Sequence, residues 1–167
     1  IFYQRKQRAL LLLSLVFLLY GLLIGSQGFA PTNVNYDSVY QLTFYTGIMT
    51  LGAAFIAMFF TISGLLRDKK HDMESIIYST SISQSRYFLS RFTGVFIFSL
   101  LAFSPFLLGF YLGTYSPGLD ASRVSGFDFS VYASTWLLFV VPNTFICTAI
   151  IFTVGLLTKN NIAVYVS

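Results

Sequence analysis

The densest group of titratable side chains in the sequence is His71, Asp72 and Glu74, preceded by Arg67, Asp68, Lys69 and Lys70. One imidazole and two carboxylates are metal-ligand types, but a metal site needs its ligands at a defined spacing, and three near neighbours in one short loop do not supply it. A solvated loop face is the better account. Nucleophiles fare no better. Ser63, Ser99 and Ser104 fall in apolar runs that hold no His, Asp, Glu, Lys or Arg, so no base is at hand to activate them. The Gly-x-x-x-x-Gly-Lys-Ser/Thr loop that cradles nucleotide phosphates does not occur. No catalytic, cofactor-binding or metal-ligating residue is assigned, and the chain is not expected to be an enzyme.

The elements that must position these residues are apolar. The chain is 56% hydrophobic and 10% charged, against the quarter or so of charged residues in a soluble domain. Ala9–Phe29, Leu42–Leu66, Gly94–Tyr115 and Val131–Leu157 are free of charged residues, and each is long enough to cross a hydrocarbon core of about 30 Å as a helix. Backbone groups in lipid are satisfied only in helices or closed barrels. Runs such as Leu10–Leu13 and Leu138–Val141 lack the alternation of a barrel strand, which favours helices. The expected fold is all-α, a polytopic transmembrane helical bundle of four complete spans.

Basic residues set the orientation. Arg5, Lys6, Arg8, Arg67, Lys69, Lys70, Arg86, Arg91 and Lys159, nine of ten, fall on one side, and only Arg123 falls on the other, with Asp37, Asp120 and Asp128. The basic side is expected to be cytoplasmic, with loop 67–93 and the N-terminus inside and loops 30–41 and 116–130 outside. The net charge of +4 is explained by topology and requires no nucleic acid. Arg5-Lys6-Gln7-Arg8 before an apolar run also describes a signal peptide, but this run is longer than a typical signal core. The chain begins at Ile1 and closes on Asn161-Ile-Ala-Val-Tyr-Val-Ser, which reads as a fifth span cut short. Residues 1–167 are therefore expected to be one transmembrane domain of a larger permease, truncated at its C-terminal end.

Within the spans, Pro105 and Pro142 are expected to kink the third and fourth helices. Gly21/Gly25, Ala53/Ala57 and Gly109/Gly113 have the four-residue spacing that lets helix backbones approach closely, with chance in Gly- and Ala-rich helices as the competing reading. Tyr36, Tyr40, Tyr45 and Tyr115 sit where an outer interfacial belt belongs. Cys147, the lone cysteine, reads as a small packing residue.

The loop 67–93 carries a short amphipathic stretch. Met73, Ile76 and Ile77 fall on one helical face, Asp72 suits the N-cap, and Glu74 suits the first turn. Tyr87, Phe88 and Phe92, with Arg86 and Arg91 between them, suit a helix at the interface before it turns into the bilayer. On periodicity alone this is a plain interfacial helix, or a docking element offering a small apolar face to a partner.

The order Ile62-Ser63-Gly64-Leu65-Leu66-Arg67-Asp68, then Met73-Glu74-Ser75-Ile76-Ile77-Tyr78-Ser79-Thr80-Ser81-Ile82-Ser83, then Arg86-Tyr87-Phe88-Leu89-Ser90-Arg91-Phe92 resembles the membrane subunit of type-2 ABC exporters, particularly permeases common in Bacteroidetes-like bacteria. Pro142-Asn143 and Leu156-Leu157-Thr158-Lys159-Asn160 fit the same pattern. Ser81 stands where that family often has proline. The resemblance implies a coupling helix seated on a separate ATP-binding cassette ATPase, with Met73, Glu74, Ile76, Ile77 and Tyr78 on or beside it and Arg67 and Asp68 at its base. It also implies a homo- or heterodimer of permease halves in a bacterial inner membrane, with ATP on the partner subunit and no cofactor on this chain. Some relatives continue into a zinc-peptidase domain. The alternatives are an ion-coupled secondary transporter, which ordinarily carries intramembrane charges, and a structural membrane protein that transports nothing.

Overall fold

A computed structural model describes the backbone of residues 2–62 and 84–158, and the side chains of residues 8–62 and 85–157. The coupling-loop residues Arg67, Asp68, Met73, Glu74, Ile76, Ile77 and Tyr78, and the suggested start of a fifth span, lie outside the described residues. Those described are all helical or loop, in the order α1 (Phe2–Ser26), α2 (Val39–Thr61), α3 (Gln84–Phe103), α4 (Pro105–Gly113), a 3-10 turn (Ala121–Arg123), α5 (Phe129–Thr135), a π-helical segment (Trp136–Val140) and α6 (Val141–Thr158). Four stretches are long and apolar enough to cross a membrane: Arg8–Ser26, Val39–Thr61, Ser85–Gly113 and Phe129–Leu157.

Helix ends differ from the apolar runs for local reasons. The first run extends to Phe29, yet α1 stops at Ser26 because Gly28 takes φ +62°, the left-handed conformation that ends helices. The second helix starts three residues ahead of its run, at Val39, where Ser38 caps it by accepting from the Gln41 N–H at 3.4 Å.

Both prolines disturb their helices, each in its own way. Pro105 opens α4, and Ser104 lies between α3 and α4 with helical backbone angles and its N–H still donating to the Leu100 carbonyl at 2.9 Å, so the third span is one continuous run interrupted at a single residue. Ser104 Oγ donates to the Leu100 carbonyl at 2.7 Å and accepts from Trp136 Nε1 at 2.9 Å. Pro142 sits inside the first turn of α6, and the disturbance falls one turn ahead of it. Pro142 has no N–H for the Leu138 carbonyl and its ring crowds that group; the wide π turn Trp136–Val140 relieves both.

The described chain divides into two compact units, Ile1–Leu51 with Leu100–Pro142 and Gly52–Ser99 with Asn143–Ser167. In the first, α1 and α4 meet through their glycines. A Cβ on Gly113 would lie 2.9 Å from Gly25 Cα, and one on Gly21 would lie 2.8 Å from the Phe110 backbone nitrogen. The small-residue spacing here is a helix–helix contact, not chance. Phe103, Phe106 and Phe110 form its aromatic core, with Phe17 against Phe103 at 5.2 Å and Tyr45 against Phe110 at 5.8 Å. In the second unit, Ala53 and Ala57 are fully buried and Ala57 packs with Ile151. Phe92 lies against Phe145 and Phe152, and Phe60 stacks on Phe98 at 5.5 Å. Leu51, Phe55, Leu101, Leu108 and Ile146 are exposed, as lipid-facing residues of spans should be.

Candidate functional site: a groove beneath a latched loop pair

Loops 30–41 and 116–130, both in the first unit, are tied together by Arg123, the one basic residue that the charge pattern sets apart from the other nine. Its guanidinium donates to the Tyr36 hydroxyl at 3.1 Å and to the carbonyls of Val34 at 2.6 Å, Ala30 at 3.5 Å and Pro31, while stacking 4.4 Å from the Tyr36 ring. Only a planar fork of donors can reach so many oxygens at once. The Tyr36 N–H donates back to the Arg123 carbonyl at 3.0 Å. Asn35 Nδ2 donates to Ser125 Oγ at 2.5 Å, and the Gly126 N–H donates to Asp37 Oδ2 at 2.8 Å. Gly126 makes the last contact possible with φ +96°, a conformation glycine alone adopts at no cost.

Two aspartates shape the second loop. Asp120 accepts from the Ser122 hydroxyl at 2.7 Å and N–H at 3.0 Å, holding the turn that carries Arg123. Asp128 caps α5 by accepting from the Ser130 N–H at 2.9 Å. The Ser122 side chain, then its backbone, lowers the Asp120 pKa; the Ser130 side chain, then its backbone, lowers that of Asp128. A carboxylate held below its ordinary value stabilises the fold fully above the unfolded pKa of about 4, and the contribution fades as pH falls through the lower folded value. Acidification below about pH 4 is therefore expected to loosen these loops. Asp128→Asn, which keeps a cap without a titrating group, should flatten part of that acid dependence in thermal unfolding. An unchanged profile would refute the assignment.

Beneath the loops, α4, α5 and the π segment enclose a groove of about 780 Å³. Its wall is almost wholly carbon: Leu101, Leu107 and Leu108 on one side, Ala133, Trp136 and Leu137 on the other, with Tyr111, Phe127 and Tyr132 at one end. Those three aromatic rings pack on one another at 5.0–5.8 Å. Leu101, Leu108 and Leu137 are more than half exposed, so the groove opens where spans face lipid. Volumes of this size suit small-molecule ligands.

Of the sequence-assigned residues, two are described. Arg86 is exposed near the start of α3, and Arg91 is half-buried one turn on, its guanidinium 5.3 Å from the Tyr87 ring. Neither belongs to the groove. Asp37, Arg123 and the groove itself escaped the sequence reading. The signals available were a single arginine on an acidic side and the single tryptophan of the chain. Among the tyrosines expected in an interfacial belt, Tyr45 donates to the Phe29 carbonyl at 3.1 Å and Tyr115 pairs with Tyr111 at 3.1 Å between hydroxyls. Comparisons with protein-family profiles, with curated proteins and with solved structures find no match to this chain.

Proposed function

We propose that the chain is the membrane-spanning permease subunit of an ATP-driven exporter, working with a separate ATP-binding cassette ATPase. The carrying observation is the charged loop between the second and third spans, whose run from Arg67 to Phe92 resembles the coupling region of type-2 exporter permeases. Its setting agrees. The chain has no phosphate-binding loop, so the nucleotide chemistry belongs to a partner, and its long spans carry no ion-coupling carboxylate. In this reading the N-terminus and residues 67–93 face the cytoplasm of a bacterial inner membrane. Residues 72–80 dock on the ATPase, and two permease halves form the path.

The mutational test is Ile76→Asp or Glu74→Arg in the full-length transporter. A buried carboxylate in an apolar seat, or a reversed charge beside it, opposes docking. Both variants should insert and accumulate normally while transport falls by at least about tenfold, as the loss of a contact worth about 1.4 kcal/mol implies. Wild-type transport in both would sink the assignment of this loop. Transport driven by an ion gradient without nucleotide would instead favour a secondary transporter.

A further inference from the structure

Two helix irregularities meet at the groove. Pro105, which opens α4, and Trp136, which opens the π segment, both line it, and the bond from Trp136 Nε1 to Ser104 Oγ at 2.9 Å ties the two places together. A π turn displaces side chains from the regular helical surface, and such turns recur at functional sites. The concavity lies at the loop end of both spans, within Ser85–Gly113 and Phe129–Leu157. The polar side-chain atoms of its wall are all engaged or closed off. Ser104 Oγ bonds Leu100 and Trp136, Ser134 Oγ donates to the Val131 carbonyl at 3.0 Å, the Tyr111 hydroxyl pairs with that of Tyr115, and the Tyr132 hydroxyl is buried out of reach. An occupant therefore meets carbon and nothing that would recognise a polar group.

We infer that the groove holds one acyl chain of a membrane phospholipid, taken from the leaflet on the side of loops 30–41 and 116–130, with the head group left outside it. Leu101, Leu108 and Leu137 at its mouth are more than half exposed on spans that face lipid, so hydrocarbon reaches it directly. The other occupants fit worse. Water finds no partners along a carbon wall, and cavities of that kind stay dry. An empty groove forfeits dispersion contacts along its whole lining. A second copy of the chain would need about 20–30 residues from each side for a stable interface, and this wall has thirteen. The site does not rest on the exporter reading, because no ATPase takes part in filling it.

Trp136, the only tryptophan, sits on the groove wall and reports occupancy directly. The full chain in maltoside micelles is titrated with phosphatidylcholine and phosphatidylglycerol brominated at the same acyl positions, and tryptophan quenching is followed. Quenching should saturate and should reverse with unbrominated phosphatidylcholine. Its midpoint should agree within about twofold for the two heads, since no polar atom of the wall discriminates between them. Ala133→Phe, which fills the groove, and Leu108→Phe, which narrows its mouth at an exposed position, should each raise the midpoint by about fivefold or more through lost packing. Leu138→Phe, at a residue 65% exposed and outside the wall, should leave it unchanged. Linear quenching without saturation in the wild-type chain, as random contact in a micelle gives, overturns the proposal. So does a midpoint that neither groove variant moves, or a tenfold preference for one head. A wild-type dimer by light scattering whose tryptophan the brominated lipids do not quench would give the groove to a second copy instead.

Discussion

Replacing Gly109 by alanine is expected to prise α1 from α4 and to destabilise the chain by about 2 kcal/mol, the cost of overpacking a tight contact. A Cβ at this position lands on the Leu18 carbonyl oxygen and lies 2.9 Å from the Leu22 nitrogen. Both obstacles are backbone, so no rotamer change relieves them and a whole helix must move. Helix propensity works the other way, since alanine outperforms glycine by about 1 kcal/mol, and the clash must exceed that gain. Gly47 separates the two effects, because a Cβ there meets nothing within 4 Å. Gly47→Ala should leave thermal stability in detergent unchanged or slightly raised, while Gly109→Ala lowers it clearly. Equal behaviour of the two variants would mean that α1 and α4 do not meet through their glycines.

The second large effect belongs to Arg123. Arg123→Ala removes the donors that hold the carbonyls of Ala30, Pro31 and Val34 and frees Tyr36 from its stacking partner. Bonds from a charged donor are each worth about 1.5–3 kcal/mol, but this side chain is partly exposed and screened, so about 2 kcal/mol in total is the expected loss. Hydrogen exchange across residues 30–38 should quicken by roughly thirtyfold, the equivalent of that loss. Arg123→Lys should recover little, because one ammonium cannot span the oxygens that the guanidinium fork reaches. Exchange at the wild-type rate in Arg123→Ala would show that the loops are held without it.

Both residues show what is legible in a sequence of this kind. The spans could be read because burial in lipid demands about twenty apolar residues in a row, and composition alone records that. The pairing of Gly21/Gly25 with Gly109/Gly113 was half legible: spacing marks a surface for close approach but does not name its partner. Pro105 and Pro142 announced two disturbances, yet whether a proline interrupts a helix at one residue or widens the turn before it depends on local partners such as Ser104 and Trp136. The latch was illegible for a different reason. Arg123 and Tyr36 are 87 positions apart, and most of the bonds of Arg123 go to backbone carbonyls, which carry no sequence signature. The bond from the Gly126 N–H to Asp37 likewise depends on a turn 89 positions away, and from the amino-acid string Asp37 is one more loop carboxylate.

The central claim is that this chain works with a separate ATPase. It is tested most directly by affinity purification of the full-length protein in mild detergent, with mass spectrometry of what accompanies it. The account predicts recovery of a Walker-motif ATPase that disappears when Ile76 and Ile77 are changed to aspartate. Recovery without any such ATPase, under conditions that keep a known exporter complex intact, would contradict it.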